Sequence, residues 1–334
     1  MICARTVFRC FKAVERCADR VTGAAGPYFI ALALVLISAG TVCFFDVISP
    51  SLPFPLLSVP ICVLIATNMY SHYYWVCTTP PGFITDDQRD SPRLVRQRRW
   101  YCAKRKEGER RDSNVTPATV VKCRKCGGDK PERTHHCRIC NRCVLKYDHH
   151  CPGINQCVGL YNERHFVLFM FYFVLSTGCY AFLGFPKALI ALGLDFEPWP
   201  HLLPPTIFML IYLLSVVLCF AVTIMLAFHL LGVANGETSV EAQDFAIYRK
   251  KAKEEGITFV NSYDLGKRTN LELFFNVGPH GEYSYWTLIF PFKLRPYTNG
   301  RAWARRPGLT RHLGIERADE LTDDDGEDEA HIAP

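Results

Sequence analysis

Residues 123–157 decide how this chain is organised, and they read CRKCGGDKPERTHHCRICNRCVLKYDHHCPGINQC. The stretch holds seven of the 16 cysteines, spaced as Cys-x-x-Cys steps with histidines between them. Thiolate and imidazole are the ligands that Zn²⁺ favours, and a closed structural site takes four of them. Two histidines and six of the cysteines are enough for two closed Cys3His sites: Cys123, Cys126, Cys137, Cys140, Cys143 and Cys157. The spacing alone leaves open which ligands share a metal.

The remaining cysteine, Cys151, ends the run Asp148-His149-His150-Cys151. A thiol beside an imidazole that can accept its proton, with a carboxylate to orient that imidazole, is typical of a nucleophilic site. Nearby metal ions and basic residues also favour the thiolate. The alternative is that Cys151 is one more ligand, but a seventh cysteine is surplus to two four-ligand sites. The run therefore predicts a cysteine nucleophile beside metal centres that hold structure and perform no chemistry.

Four apolar blocks surround this stretch. They cover about 28–48, 52–77, 166–185 and 206–233, and the third could extend to residue 194. Each supplies the ~20 apolar residues that a helix needs to cross ~30 Å of hydrocarbon. We therefore expect an all-α polytopic membrane protein, with four transmembrane helices and a small cysteine-rich domain between the second and the third.

The distribution of Lys and Arg predicts the orientation of these helices. The turn at 49–51 and the loop at 195–205 have neither, whereas the N-terminal segment, the 78–165 loop and the C-terminal region are rich in both. Basic loops stay on the cytosolic side. The cysteine-rich domain and both termini are thus predicted to be cytosolic, where thiols are kept reduced, which favours metal ligation over disulfides.

Composition divides the chain into five parts. They are an amphipathic cytosolic segment at 1–27, transmembrane helices 1 and 2 at 28–78, a cytosolic loop at 79–165 with the zinc-binding domain at about 121–165, transmembrane helices 3 and 4 at 166–234, and a cytosolic C-terminal region at 235–334. In the first part, Val7, Phe8, Phe11 and Val14 would share the side that lies on the membrane. The acidic run DELTDDDGEDE near the end of the chain predicts a disordered tail.

The spacing Cys-x2-Cys-x9-His-Cys-x2-Cys-x2-Cys-x4-Asp-His-His-Cys-x5-Cys resembles the cysteine-rich domain of the DHHC palmitoyltransferases at every one of these positions. The resemblance covers most of the chain, from about residue 28 to residue 292. Altered family motifs stand outside the domain: Pro80-Pro81-Gly82 after the second helix, Thr238-Ser239-Val240-Glu241 after the fourth, and Asn261 with the aromatic residues that follow it. Residues 236–241 and 299–303 are most similar to the endoplasmic-reticulum-associated Abl-philin branch.

The resemblance implies a role for each residue of the domain. One zinc ion would take Cys123, Cys126, His136 and Cys143, and the other would take Cys137, Cys140, His150 and Cys157. Cys151 would be the acylated nucleophile, His149 its general base, and Asp148 the residue that orients His149.

The activity that the resemblance implies is that of a protein-cysteine S-palmitoyltransferase. Acyl-CoA would be the co-substrate, and palmitate would pass to Cys151 and then, in a ping-pong sequence, to cysteines of membrane-associated proteins close to the bilayer. Lys130, Arg133 and His135 are candidates to contact the CoA phosphates, with attraction to anionic lipid as the alternative. The resemblance also implies an endoplasmic reticulum or Golgi membrane, and we expect no nucleic-acid partner.

Two features bear on the acyl substrate. The family usually has a large aromatic residue at the position of Gly153, so this chain is expected to capture acyl-CoA more weakly or with a looser chain preference. The same departure keeps open the alternative of a catalytically weak membrane scaffold. Small residues at 176–178, ~15–18 Å below Phe166 along a helix, would leave room for a sixteen-carbon chain, unless they only allow close helix packing.

Overall fold

A computed structural model describes residues 2–85 and 114–315, except for the side chains of residues 2–12, 15–16 and 114. Within this part of the chain, four helices are long and apolar enough to cross a membrane: Cys17–Ser51, Pro55–Thr78, Glu163–Leu183 and Pro205–Ala234. They coincide with the four apolar blocks, and the cysteine-rich domain lies between the second and the third. The predicted fold class is therefore confirmed.

The first helix, α1, runs without a break over Ile2–Cys43 and continues through a π-helical turn, Phe44–Ile48, and a 3₁₀ turn, Ser49–Ser51. The boundary predicted at residue 27 is thus not a break in the backbone, although Pro27 removes one intrahelical hydrogen bond. A Cβ at Gly26 would overlap with the side chain of Asn155, so this glycine lets α1 lie directly against the loop that follows Cys151. The predicted apolar side chains of Val7, Phe8 and Phe11 lie outside the described side chains.

The other helices of the bundle are α2 (Pro55–Thr78), α3 (Glu163–Leu183), the short α4 (Phe185–Ala191) and α5 (Pro205–Ala234). Helix α3 packs against both α2 and α5. The third apolar block does not continue to residue 194 as one helix, because the chain turns from α3 into α4 at Gly184. Tyr73, Phe166 and Val233 form a buried core at the end of the bundle that meets the cysteine-rich domain.

The cysteine-rich domain follows β1 (Asn114–Pro117) and consists of three short antiparallel hairpins. They are β2 (Val120–Lys122) with β3 (Asp129–Pro131), β4 (His135–Cys137) with β5 (Arg142–Val144), and β6 (His149–Cys151) with β7 (Gln156–Val158). The turn after α2 fastens the domain to the bundle, because the carbonyls of Pro81 and Gly82 accept hydrogen bonds from the amides of Tyr161 and Leu145 at 3.1 and 2.8 Å.

The C-terminal region wraps back onto this domain. It contains α6 (Ser239–Glu254), α7 (Lys267–Phe275) and β8 (Ala302–Arg305), and β8 pairs antiparallel with β1. Trp303 and Arg305 are buried at that pairing, and the Arg305 guanidinium donates to Ser262 Oγ and to Glu132. The predicted disordered acidic tail lies outside the described residues.

One part of the C-terminal region lies alongside the membrane helices. Asn68 of α2 donates to the carbonyl of Ile289 at 2.9 Å, and the Tyr172 hydroxyl of α3 donates to the carbonyl of Leu288 at 2.7 Å. Asn68 is ten residues before the end of α2, which corresponds to ~15 Å along a helix. The segment therefore reaches beside the spans, and Trp286 and Phe290 on its outer side are exposed.

Candidate active site

Strand β6 separates the predicted metal ligand His150 from the predicted catalytic residues His149 and Cys151. Side chains alternate between the two faces of a strand, so His149 and Cys151 share one face while His150 points to the other. His150 lies opposite Cys157 in the hairpin, and both belong to a cluster of metal-ligand type. The face that carries His149 and Cys151 meets the membrane helices. His149 contacts the Phe166 ring, and Cys151 packs against the core around Tyr73.

The cysteine-rich domain contains two clusters of cysteine and histidine, and they group the eight residues as the resemblance implies. The first contains Cys123, Cys126, His136 and Cys143, and the second contains Cys137, Cys140, His150 and Cys157. Within each cluster, all ligand atoms lie within 4.8 Å of one another. The β4–β5 hairpin links the clusters, because His136 and Cys143 are paired across it while the neighbouring Cys137 points to the second cluster.

The distances within both clusters fit a tetrahedral metal. His136 Nδ1 lies 3.7 Å from Cys123 Sγ and 3.6 Å from Cys143 Sγ, and His150 Nδ1 lies 3.4 Å from Cys140 Sγ and 3.6 Å from Cys157 Sγ. A tetrahedron with Zn–S bonds of ~2.3 Å and Zn–N bonds of ~2.0–2.1 Å has edges of ~3.6–3.8 Å between ligand atoms. Both clusters can therefore bind a metal ion without rearrangement.

Asp148, His149 and Cys151 form a continuous line at the membrane end of the domain. His149 Nδ1 donates to Asp148 Oδ2 at 2.7 Å, which leaves Nε2 of the ring to face the thiol. The amides of Gly153 and Ile154, in the 3₁₀ turn after Cys151, point at its sulfur. The arrangement supplies a nucleophile, a proton acceptor and a carboxylate that fixes the acceptor's orientation.

The electrostatics of this line favour an ion pair between thiolate and imidazolium. Burial lowers the pKa of His149, but the hydrogen bond from Asp148 and the contact with Cys151 outweigh it and raise the pKa to about 9. For Cys151, burial raises the pKa, but the neighbouring His149 more than compensates and brings the pKa below its ordinary value. Burial also raises the pKa of Asp148, yet its hydrogen bond to His149 and the charge of His229 hold that pKa well below the usual range.

The N-terminus of α6 also contacts the Asp148 carboxylate. Ser239 is the first residue of this helix, and Thr238 caps it by accepting from the Glu241 amide while the Glu241 carboxylate accepts from the Thr238 amide. The capping box aims the positive end of the helix at the Asp148 carboxylate. Thr-x-x-Glu is a capping signal that can be read in the sequence, but its contact with Asp148 depends on the fold.

His229 of α5 also approaches Asp148, with Nδ1 3.8 Å from Oδ2. Its ring packs against Phe166 and Phe274. In the sequence His229 is only an ionisable residue inside an apolar block. No local pattern could have connected it with Asp148, because 81 residues separate the two positions in the chain.

The three residues expected to contact CoA lie in different surroundings. Lys130 is half-buried on β3, and His135 is half-buried on β4 beside the Tyr147 ring. Arg133 is enclosed: its Nε and Nη2 donate to the two carboxylate oxygens of Glu241, both at 2.6 Å, and only 7% of its side chain is exposed. Its guanidinium also lies over the rings of Tyr263 and Trp303, at 4.3 and 4.9 Å from their centroids. The structure thus gives Arg133 a partner other than a CoA phosphate.

One cavity lies at the site, and a second lies deeper in the helix bundle. One of about 520 Å³ opens beside Asp148, His149 and His229, between α5 and the C-terminal region. The other, of about 120 Å³, lies inside the helix bundle, and its wall includes Ser176 and Thr177. Tyr180 also lines the second cavity, one helical turn beyond Ser176, and its hydroxyl bonds to Cys43 Sγ at 2.9 Å.

Comparisons with known proteins show which family this chain resembles. A family model described as DHHC palmitoyltransferase matches residues 119–245. Palmitoyltransferase ZDHHC16 of Mus musculus is 32% identical over 258 residues, which cover 72% of this chain and 62% of the relative, and the human protein of the same name is 31% identical over 270 residues, covering 72% and 63%. Probable protein S-acyltransferase 14 of Arabidopsis thaliana is 32% identical over 233 residues, covering 67% and 68%. The chain spans a little under two thirds of the mouse and human relatives.

Proposed function

Because this chain belongs to the DHHC palmitoyltransferase family, we propose that it is a protein S-acyltransferase that moves palmitate from palmitoyl-CoA to cysteines of membrane-associated proteins. The observation that carries the proposal is the line Asp148–His149–Cys151, whose thiol faces the end of the apolar helix bundle that meets the cysteine-rich domain. A reaction between a lipid chain and a thiol needs a nucleophile at that boundary.

The proposed reaction has two steps that pass through an acyl-enzyme. The Cys151 thiolate attacks the thioester carbonyl carbon of acyl-CoA, the bond from that carbon to the CoA sulfur breaks, and the departing CoA thiolate takes the proton held by His149. An acceptor cysteine then gives its proton to His149 and attacks the acyl-Cys151 thioester, so that Cys151 leaves as a thiolate. Asp148 keeps the His149 ring turned toward both sulfurs throughout.

We assign the acyl chain to the cavity inside the bundle. Ser176 lies ten residues into the helix from Phe166, ~15 Å along its axis, close to the length of an extended palmitoyl chain. The Ser176 hydroxyl has no hydrogen-bond partner among the described residues, and the Tyr180–Cys43 contact lies one turn beyond it. These features support a chain-length limit at Ser176, with the large Tyr180 ring beyond it.

Lys130 and His135 remain our candidates for CoA contact. Both are half-buried on the domain that carries Cys151, where a cationic side chain can meet a phosphate. Arg133 is better explained as a structural residue, because its guanidinium already donates two hydrogen bonds to the Glu241 carboxylate.

The two Cys3His clusters would hold zinc ions. When bound, the metals supply rigidity, since four protein ligands leave no open position for substrate. The metals would affect the reaction indirectly. His150 and Cys157 lie on the two strands of the β6–β7 hairpin, so a metal bound to both would fix the hairpin whose other face carries His149 and Cys151.

We also propose a position in an endoplasmic reticulum or Golgi membrane with the cysteine-rich domain in the cytosol. The resemblance of residues 236–241 and 299–303 to the endoplasmic-reticulum-associated branch supports the location, and the distribution of basic residues supports the orientation. Acceptor cysteines would then lie in cytosolic segments next to the bilayer, because the acyl chain stays within the membrane while its thioester is at the surface.

A catalytically weak scaffold is the second candidate, and Gly153 favours it, because no side chain at this position can pack on the acyl thioester.

The proposal is tested by labelling the purified protein with a palmitoyl-CoA analogue and releasing the label with neutral hydroxylamine. We expect hydroxylamine-sensitive label in the wild type and none in Cys151→Ser, at equal zinc content. Cys219→Ser, which changes a thiol in the middle of α5, is the control and should keep the label. Absence of label on folded, zinc-loaded wild type would favour the scaffold.

A further inference from the structure

Cys77, in the last turn of α2, is a thiol that the proposed mechanism does not use, and its surroundings bring it to Cys151. Cys151 and Gln156 are directly opposite each other in the β6–β7 hairpin, so their side chains leave the hairpin on the same side. The Gln156 amide donates to the carbonyls of Val76 and Thr79, which bracket Cys77 in the chain. The face of the hairpin that carries Cys151 is therefore turned toward the helix end that carries Cys77.

A second set of contacts joins the same two places. Tyr73 lies one helical turn before Cys77, on the same side of α2, and its hydroxyl donates to the carbonyl of Gly153 at 2.9 Å. Cys77 and Cys151 both pack against the core cluster to which Tyr73 belongs. Helix α2 and the turn after Cys151 thus place the two thiols against the same apolar core.

Each of the two thiols has room for an acyl group on one side. A Cβ at Gly153 would lie 3.8 Å from Cys151 Sγ, so the lack of a side chain there leaves one flank of the nucleophile uncovered. Cys77 itself is only half-buried, and its neighbours Tyr74 and Thr78 are exposed on the outer surface of α2. An acyl chain attached to Cys77 could lie along this outer surface, leaving the cavity inside the bundle free.

We propose that Cys77 is a second acylation site, loaded from acyl-Cys151 by thioester exchange; this rests on the proposed function of Cys151. The Cys77 sulfur attacks the carbonyl carbon of the Cys151 thioester and its proton passes to His149. The bond between that carbon and the Cys151 sulfur breaks, and Cys151 is released as a thiolate. The exchange replaces one thioester with another and needs no further reactant. Cys151 can then be reloaded from acyl-CoA, so that one chain carries up to two acyl groups.

The test maps and counts thioesters in the full-length protein in lipid nanodiscs after incubation with excess palmitoyl-CoA. Intact-mass measurement should show a population with two hydroxylamine-sensitive acyl groups in the wild type and in the control Cys219→Ser, but at most one in Cys77→Ser and Cys77→Ala. Peptide mapping of the wild type, which needs no variant to fold, should find palmitate on Cys77. Cys151→Ser should carry none at either position.

Two results would overturn the inference. Palmitate on Cys151 with none on Cys77 would mean that the exchange does not occur. Equal palmitate on Cys77 in the wild type and in Cys151→Ser would mean that Cys77 reacts directly with acyl-CoA. An unlabelled Cys151 in the folded wild type is a separate outcome, because it would contradict the proposed function itself and remove the donor on which the exchange depends.

Discussion

Ser239 holds both oxygens of the Asp148 carboxylate. Its backbone amide donates to Oδ1 at 2.7 Å and its hydroxyl donates to Oδ2 at 2.9 Å. Oδ2 is also the oxygen that accepts from His149. Ser239 is the first residue of α6 and lies 88 positions after Cys151 in the chain. It therefore fixes the orientation of the Asp148 carboxylate, which in turn orients the His149 ring.

Ser239→Ala should slow the acylation of Cys151 without unfolding the domain. A hydrogen bond to a charged group contributes ~1.5–3 kcal/mol, and losing even the lower value from the transition state corresponds to a ~10-fold slower step. Rapid-quench measurement of a single turnover with palmitoyl-CoA gives the rate. Ser239→Thr keeps the hydroxyl and should stay near the wild type, and an unchanged rate in the alanine variant would show that the backbone amide alone is sufficient.

Arg133→Met should destabilise the protein more than it affects acyl-CoA binding. Removing one partner of a buried ion pair typically costs ~3–5 kcal/mol, because the remaining charge, here that of Glu241, is left without its partner. The midpoint of thermal unfolding in detergent should fall clearly for Arg133→Met and for Glu241→Gln, and little for Lys130→Met. A raised KM for palmitoyl-CoA with unchanged thermal unfolding would instead support the CoA contact that the sequence suggested for Arg133.

Gly153→Trp should improve the use of acyl-CoA. A side chain at this position begins 3.8 Å from the nucleophilic sulfur, and a large ring there could pack on the chain close to its thioester. Burying a large side chain can contribute ~1.5–3 kcal/mol, so the KM for palmitoyl-CoA should fall ~10-fold or more. Gly153→Ala adds a methyl group without the ring and serves as the matched control. An unchanged KM and chain-length profile in the tryptophan variant would contradict the expectation.

Ser176→Phe should shift the chain preference toward shorter acyl groups. The residue lines the cavity inside the bundle, and a phenyl ring would fill space that we assign to the distal end of palmitate. Competition between myristoyl-CoA and palmitoyl-CoA, read as the ratio of acyl-enzymes by mass, measures the shift. Thr223→Phe, at an exposed position of α5, should leave the ratio unchanged. The same ratio in both variants would mean that Ser176 only allows close packing of helices.

The spans and the metal clusters could be predicted from the sequence for different physical reasons. Crossing a membrane requires a long apolar run, and such runs are visible without any tertiary information. Metal ligation requires particular side chains at short spacings, so the eight cysteine and histidine ligands could be listed in advance. Their division into two groups came from the resemblance, because alternation along strands as short as β4 leaves no periodic signal in the sequence.

The residues that surround and position the catalytic line could not be predicted in the same way. Ser239, His229 and the Arg133–Glu241 pair act across long sequence separations, and only the packing of α5 and α6 against the domain brings them together. The prediction for Arg133 followed from its charge, since basic residues close to the predicted metal ligand His136 suggest an anionic ligand. The sequence contained the matching carboxylate, Glu241, but gave no indication that the two meet.

The central claim is that the acyl group travels through Cys151, and a chase experiment tests it most directly. The acyl-enzyme is formed in nanodiscs with radiolabelled palmitoyl-CoA, freed of CoA and acyl-CoA, and mixed with a membrane-anchored peptide that carries one juxtamembrane cysteine. We predict that label leaves Cys151 and that the peptide gains as much label as the whole protein, Cys77 included, loses. Label that stays on Cys151, while the peptide is acylated only after fresh palmitoyl-CoA is added, would contradict the account.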